Sequence, residues 1–405
     1  MTQLHLKGIA WNHSRAFPPL VATAQRFEEL NPGVHITWEK RTLHEFGHAS
    51  LAQLANRYDL LVIDHPMMGE AAAALVDLNL CLEPAKLQRL SKSYVGPSFE
   101  SYLYHGGLYA LPIDAAAPAV SYRPDLLGLA GVKVPANWTD LLDLARLGKV
   151  RMPGFPADLF LNWMGLCVSR GGLCAADADQ LFPHEIALAC LEDLKALASL
   201  MPASIYQSNP IALYEEMSVS ESFAYCPFAY TYSNYSRRGF AAHLLQFAVP
   251  VNLVDGSPLR TVLGGTGIAV SRKCASVSDA VSYSLFVADP QVQRDLYGPT
   301  GGQPAACLAW DDPALDQSSN GFFSATRSSI ETAYVRPRYS GYIPLQERAG
   351  VYVARYLQGQ IGSQAALNAI NERYRDSLEA ANQKDRIKDP KPPQPQQAKE
   401  VNPHA

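Results

Sequence analysis

Apolar and polar positions in the first part of the chain switch between two periods. Leu4, Leu6, Gly8 and Ala10 fall on every second residue before the polar group Asn12-His13-Ser14, which predicts a strand running into a loop. From Pro18 to Leu30, the apolar residues Leu20, Ala24, Phe27 and Leu30 follow helical spacing, and Asn31-Pro32-Gly33 supplies a stop and a turn. Val34 to Trp38 alternates again, a helix is expected around Glu45 to Arg57, and Tyr58 to Asp64 is nearly unbroken in its apolar character. A run of that last kind suits a strand covered on both faces of a parallel sheet. Strand, helix, strand, helix, strand predicts an open α/β sheet, whose ligands sit at the carboxyl ends of the strands.

The stretch from Gly106 to Leu142 packs several signals together. Leu108-Tyr109-Ala110-Leu111 reads as a strand that stops at Pro112, which cannot donate a ladder hydrogen bond. Ala119 to Tyr122 reads as another strand, and Arg123-Pro124-Asp125-Leu126-Leu127 as a short helix with Pro124 in its first turn. Asn137 is placed to cap a helix beginning at Trp138, with Asp140 favouring its positive end.

This run resembles the lobe-crossing region of bacterial extracellular solute-binding proteins of family 1, the receptors of sugar-type ABC importers. The matching elements are Tyr109-Ala110-Leu111-Pro112, the strand-ending Tyr122, and Pro135-Ala136-Asn137-Trp138. Arg123 stands where the family usually has Asn, which puts a second-lobe polar contact in question. Phe27 to Val34, Tyr58 to Asp64, the Gly-rich run Gly264 to Ser271, the helix Ser278 to Ala288, and the helices Pro344 to Gln360 and Ser363 to Leu378 continue in family order. The resemblance implies an α/β, two-lobed, periplasmic-binding-protein-like fold of type II, with a ligand cleft between lobes joined by hinge crossings. Residues 1–113 with 264–310 would form the first lobe and 114–263 with 311–380 the second, with the hinge near Pro112 to Asp114. The Pro-, Gln- and Lys-rich segment 381–405 is expected to be a disordered tail.

A chain of 405 residues exceeds what one core normally supports, in keeping with two lobes. A net charge of -4 leaves no electrostatic footprint for nucleic acid, and no apolar run is long enough to span a bilayer. Seven scattered cysteines without a C-x-x-C pair read as buried thiols rather than a disulfide framework. The resemblance implies a periplasmic or cell-surface location, whereas no signal peptide opens the chain, so Met1 as the native start would place the protein in the cytoplasm.

The resemblance also implies which groups face the cleft. From the first lobe come Trp11, Asn12 and His13, then Arg41 and His44, then Asp64 and His65. Asp114, Tyr122, Trp163, Tyr230 and Tyr232, with Tyr225, Asn234 and Tyr235 beside them, would come from the crossing and the second lobe. Gly264, Gly265 and Gly267 lack the dinucleotide fingerprint and would allow close backbone approach, with Gly265 beside the ligand. Aromatic faces pack on the C–H surface of a hydroxylated ligand, while charged groups fix its hydroxyls. Core packing is the competing reading for Trp163, packing across the lobes for Tyr122 and helix capping for Asp64; Arg336 and Arg338 could meet an anionic ligand, with a solvated loop as the competing reading. The implied function is reversible capture of a small polar ligand, a carbohydrate or a related compound, by hinge closure. An ABC permease would be the partner, with no cofactor, no covalent step and a monomeric state. A cytoplasmic ligand sensor or an enzyme on the same scaffold is the alternative.

One further motif points elsewhere. His44-Glu45-Phe46-Gly47-His48 satisfies H-E-x-x-H, which on a helix lets His44 and His48 bind zinc while Glu45 serves as general base. The extended metzincin pattern is missing, which leaves Glu70 or Glu83 as third-ligand candidates for a zinc hydrolase. The other reading is a helix start whose histidines face solvent or ligand.

Overall fold

The computed structural model describes residues 4–48, 50–175 and 177–388. Its strands are β1 (Leu4–Trp11), β2 (Val34–Arg41), β3 (Leu60–Ile63), β4 (Leu103–Tyr104), β5 (Gly107–Leu108), β6 (Leu111–Ala116), β7 (Pro118–Tyr122), β8 (Tyr225–Tyr230), β9 (Gln246–Ala248) and β10 (Gly264–Val270). The first sheet has the order β2-β1-β3-β10-β6, and the second β8-β7-β9. β1 pairs in parallel with β2 from Leu4 opposite Val34 to Trp11 opposite Arg41, so both strands deliver their last side chains to one carboxyl edge. β3 is buried at all four positions. Each such aliphatic side chain contributes about 1.5–3 kcal/mol on leaving water.

The helix Phe17–Leu30 lies where the apolar spacing predicts it, with Leu20, Ala24 and Phe27 buried. The helix expected around Glu45 to Arg57 is instead two short ones, Leu43–His48 and Leu51–Leu54, because Ser50 adopts a non-helical ψ of 114°. The strand expected over Leu108 to Leu111 is not formed as one piece: β5 ends at Leu108, and β6 begins at Leu111 and includes Pro112. Pro112 sits on the edge strand, where the register against β10 shifts between Thr266 and Gly267, a setting that tolerates a missing N–H. Asn137 Oδ1 accepts the Asp140 N–H at 2.9 Å and caps the helix Trp138–Arg146 as expected. The final helix, Ser363–Lys388, continues past the Ala381 start assigned to the tail, because the sequence offers no Gly or Pro before Pro390. Residues 389–405 lie outside the described residues.

One apolar core gathers Ile9, Leu61, Ile63, Ile113, Ile268 and Val287, and a second gathers Trp138, Phe160, Trp163, Leu191, Tyr342 and Tyr374. Three stretches of chain run side by side between them. Ala117 alone joins β6 to β7. Thr261 Oγ1 donates to Pro118 O at 2.8 Å, and across the other two crossings Leu263 N donates to Tyr334 O at 2.7 Å and Tyr334 N to Thr261 O at 2.8 Å. Behind the second core's edge, the helices Pro156–Ser169 and Tyr342–Leu357 touch backbone to backbone. A Cβ on Gly350 would lie 2.2 Å from Pro156 O.

Candidate functional site

The turn after β1 builds one side of the site. His13 Nδ1 accepts the Arg15 N–H at 2.9 Å, which turns the Arg15 side chain inward. There Arg15 Nε donates to Asp114 Oδ2 at 2.8 Å, Nη2 binds Asp114 Oδ1, and Nη1 reaches Thr231 O at 2.6 Å. Its guanidinium also lies 4.8 Å from the centre of the Tyr232 ring. Burial opposes the Arg15 charge, but Asp114 outweighs it and the guanidinium titrates above its ordinary range. Burial, aided by that same charge, pushes the His13 imidazole down to about 4.

A second ion pair lies on the opposite flank. Arg336 Nη2 donates to Asp64 Oδ2 at 2.6 Å, its Nε to Leu263 O at 3.2 Å, and its Nη1 to Gln346 Oε1 at 3.4 Å. Asp64 would be raised by burial, yet Arg336 and His65 hold it below the usual carboxylate range. Burial works against the Arg336 charge too, and Asp64 more than offsets it. His65 is fully buried behind Asp64, with Nδ1 3.2 Å from Asp64 Oδ1 but out of hydrogen-bond alignment. Burial pushes its imidazole down to about 4.

Between these pairs runs a cleft of about 350 Å³, in the size range of small-molecule sites. Trp11, Phe46, Tyr230 and Tyr232 give it aromatic walls, and Asp158 and Glu347 face it from the two helices that meet at Gly350. Burial, then the charge of Glu347, pushes the Asp158 carboxyl up to about 7. Trp11 Nε1 and Thr266 Oγ1 line this cleft on residues 3% and 4% exposed, and neither has a hydrogen-bond partner among the described residues. Buried polar atoms are ordinarily paired, so two unpaired groups on one cleft make it the candidate site. Gly265 holds a φ of 92° on the cleft wall, and a Cβ there would meet Asp114 O at 2.4 Å. Its role is conformational.

Of the residues expected at the site, the cleft brings together Trp11, Asp64, Tyr230, Tyr232 and Gly265. His13 stands beside it, edge-on to Tyr232 at 4.7 Å. Asp114 is buried behind Arg15, His65 behind Asp64, and Asn12 is exposed on the turn. Arg41 lines a different recess, stacked on Phe46 at 4.8 Å. Trp163 is core: it is fully buried, and its Nε1 donates to Ala187 O at 3.0 Å. Tyr122 turns away to Gln246, its hydroxyl 2.8 Å from Oε1, because it ends β7 on the flank that pairs with β9. Tyr225 is core, Asn234 donates to Gly301 O and Tyr235 to Glu215. Arg123 pins Asp125, Met217 O and Ser220 O and does not reach the cleft. Arg338 binds the carbonyls of Glu100 and Ser101, so neither it nor Arg336 belongs to a solvated loop. Arg15, Phe46, Asp158 and Glu347 were not expected. Asp158 reads from sequence as an ordinary first-turn acid, and nothing in the periodicity turns Arg15 inward.

The side chains of His44 and His48 lie outside the described residues. Glu45 Oε2 accepts from Thr42 N at 2.7 Å and Thr42 Oγ1 at 2.9 Å, while Thr42 Oγ1 accepts from Glu45 N at 3.1 Å. That is a reciprocal capping box, and it accounts for the Glu of the motif as a helix starter. Among the described residues no group of three or more His, Cys, Asp or Glu is arranged to hold a metal ion. Among them, too, no helix is long and apolar enough to cross a membrane, and all seven cysteines are free thiols.

Residues 10–199 match the model of the bacterial extracellular solute-binding proteins. A mannitol-binding protein of Pseudomonas aeruginosa is 33% identical over 129 residues, which is 29% of this chain and 28% of that protein's length. The fold is similar to that of the maltose-bound MalE3 protein of T. maritima, with a TM-score of 0.78 at 17% identity over 92% of this chain and 99% of that one. It is similar as well to a solute-binding protein of Agrobacterium radiobacter in complex with ribitol (TM-score 0.77, 19% identity, 93% of this chain, 99% of that one). The two-lobed type II architecture expected from the sequence is therefore the fold of the chain.

Proposed function

We propose, since residues 10–199 match the model of the bacterial extracellular solute-binding proteins, that the protein captures a small polyhydroxylated ligand, a sugar or polyol, and hands it to an ABC-type permease outside the cytoplasmic membrane. The observation that carries this reading is the aromatic cleft with two unpaired buried polar groups, Trp11 Nε1 and Thr266 Oγ1, set between two arginine–aspartate pairs. Mannitol, maltose and ribitol in the names of the similar proteins support the ligand class. The lobe built on the first sheet would close against the lobe built on the second, turning on the crossings at Ala117, Thr261 to Leu263 and Tyr334 rather than at Pro112 to Asp114, which lie within β6 of the first sheet. Ligand favours the closed form only through contacts it makes better there, and a 1 μM dissociation constant requires about 8 kcal/mol in all. Aromatic stacking and hydrogen bonds to the two orphan groups act without any covalent step. The family consists of binding proteins, and with Glu45 held in a helix cap the zinc hydrolase reading has no support.

The test is a thermal-shift screen of polyols, monosaccharides and oligosaccharides followed by calorimetry and small-angle scattering. A true ligand at 100 times its dissociation constant stabilises by about 2.7 kcal/mol and compacts the protein. Tyr232→Ala is expected to weaken binding by about 10–100-fold, the loss of a desolvated ring contact. A complete panel without a single shift sinks the proposal.

Asp158 adds a pH dependence. Its carboxyl ionises near pH 7, and the carboxylate accepts a stronger, charge-assisted bond from a ligand hydroxyl than the protonated acid does. Affinity is expected to rise about tenfold from pH 6 to pH 8, and Asp158→Asn to flatten the profile. Equal affinities for the wild type at both pH values would remove Asp158 from the binding set.

A further inference from the structure

A second recess, of about 380 Å³, shares no lining residue with the cleft. It opens at the end of β2, where Lys40 and Arg41 close the strand, and Arg57 completes a cationic rim. Lys40 and Arg57 are exposed, whereas Arg41 is only 6% exposed. Arg41 Nη2 donates to Val62 O at 2.9 Å, and its Nε and Nη1 have no hydrogen-bond partner among the described residues. Phe46 covers one face of the guanidinium, which keeps it rigid and dry. Glu45 also lines the recess, but its Oε2 already takes both the N–H and the hydroxyl of Thr42. Burial pulls the Arg41 pKa down to about 10, and the opposing effects of Glu45 and Tyr58 do not restore it.

A buried guanidinium with unspent donors is costly unless an anion meets it, and the two exposed cations beside it add to the attraction. We propose that this recess is a binding site for a phosphate-type oxyanion, held by Arg41 at its base and by Lys40 and Arg57 at its rim. The planar, permanently charged guanidinium suits the tetrahedral oxygens of orthophosphate or of a phosphomonoester. Because Phe46 lies between Arg41 and Trp11, with ring centres of Phe46 and Trp11 5.1 Å apart, the recess backs directly onto the cleft wall without being part of it. This site stands independently of the sugar or polyol reading.

The experiment is calorimetric titration of the full chain with orthophosphate and, separately, with glycerol 3-phosphate, at pH 7.5 and constant ionic strength. Saturable binding of one equivalent is expected, weakened about tenfold or more in Arg41→Gln. The double variant Lys40→Gln/Arg57→Gln changes only exposed residues and keeps the test open should Arg41→Gln fail to fold; a loss of about threefold or more is expected from it. Tyr232→Ala, in the cleft, should bind both probes as the wild type does. Response to both probes identifies free phosphate as sufficient, and response to glycerol 3-phosphate alone identifies a monoester. No saturable heat with either probe, wild-type affinity in the double variant, or loss of binding in Tyr232→Ala would overturn the site.

Discussion

Replacing Arg336 by methionine is expected to lower the free energy of unfolding by about 3–5 kcal/mol, the usual cost of removing one partner from a buried ion pair. Arg336 is 4% exposed, and its loss leaves Asp64 without the cation that holds its charge. The change also strips a donor from Leu263 O at a lobe crossing. Urea denaturation at pH 7 measures the difference. The control is the double variant Arg336→Met/Asp64→Leu, which removes both charges and should recover much of the loss, since paired burial itself contributes little. A single variant within about 1 kcal/mol of the wild type would mean that solvent reaches Asp64 freely.

Acid exposes the other large term. His65 is held neutral by burial down to about 4, whereas an unfolded histidine takes its proton near 6.5. The unfolded state therefore binds more protons between those values, and the stability that His65 contributes is complete above pH 6.5 and falls as pH drops to 4. Two and a half pH units of such linkage correspond to about 3 kcal/mol. His13, also held down to about 4, acts in the same direction. Asp158 acts oppositely: its raised pKa makes a contribution present below the ordinary carboxylate range and lost as pH rises through 7. The wild-type profile is thus a difference of opposed effects, and His65→Met isolates one of them. Relative to that variant, the wild type should lose about 3 kcal/mol between pH 6.5 and 4 in denaturant titrations. Parallel profiles for the two proteins would show that His65 is protonated inside the fold.

The strands β1 and β2 and the helix between them were legible because their apolar positions repeat with clear periods, and the return strand because its glycines follow family order. Pro112 sits inside a strand instead of ending one because β6 lies at the edge of the sheet, a fact that no local pattern carries. The site was legible where a strand end fixes direction, as at Trp11 and Asp64. It was not legible on helices. Trp163 and Asp158 lie five residues apart on one helix, one in the core and one at the cleft, and only the tertiary packing says which face is which. Arg15 and Arg336 were obscured for a related reason: each draws its meaning from an aspartate about a hundred or more residues away, as the separations of 99 and 272 record.

The contact of Gly350 with Pro156 has a kinematic consequence. Two helices that meet through bare backbone cannot slide or roll without collision, so Asp158 and Glu347 keep a fixed spacing and move as one rigid plate. The compliance of the molecule is then concentrated in the three crossings, where one residue, Ala117, links the two sheets. In the closure we propose, opening and closing would be a motion with few degrees of freedom, and the lobe carrying these helices would offer a ligand a jaw of constant shape instead of one that moulds itself to each guest.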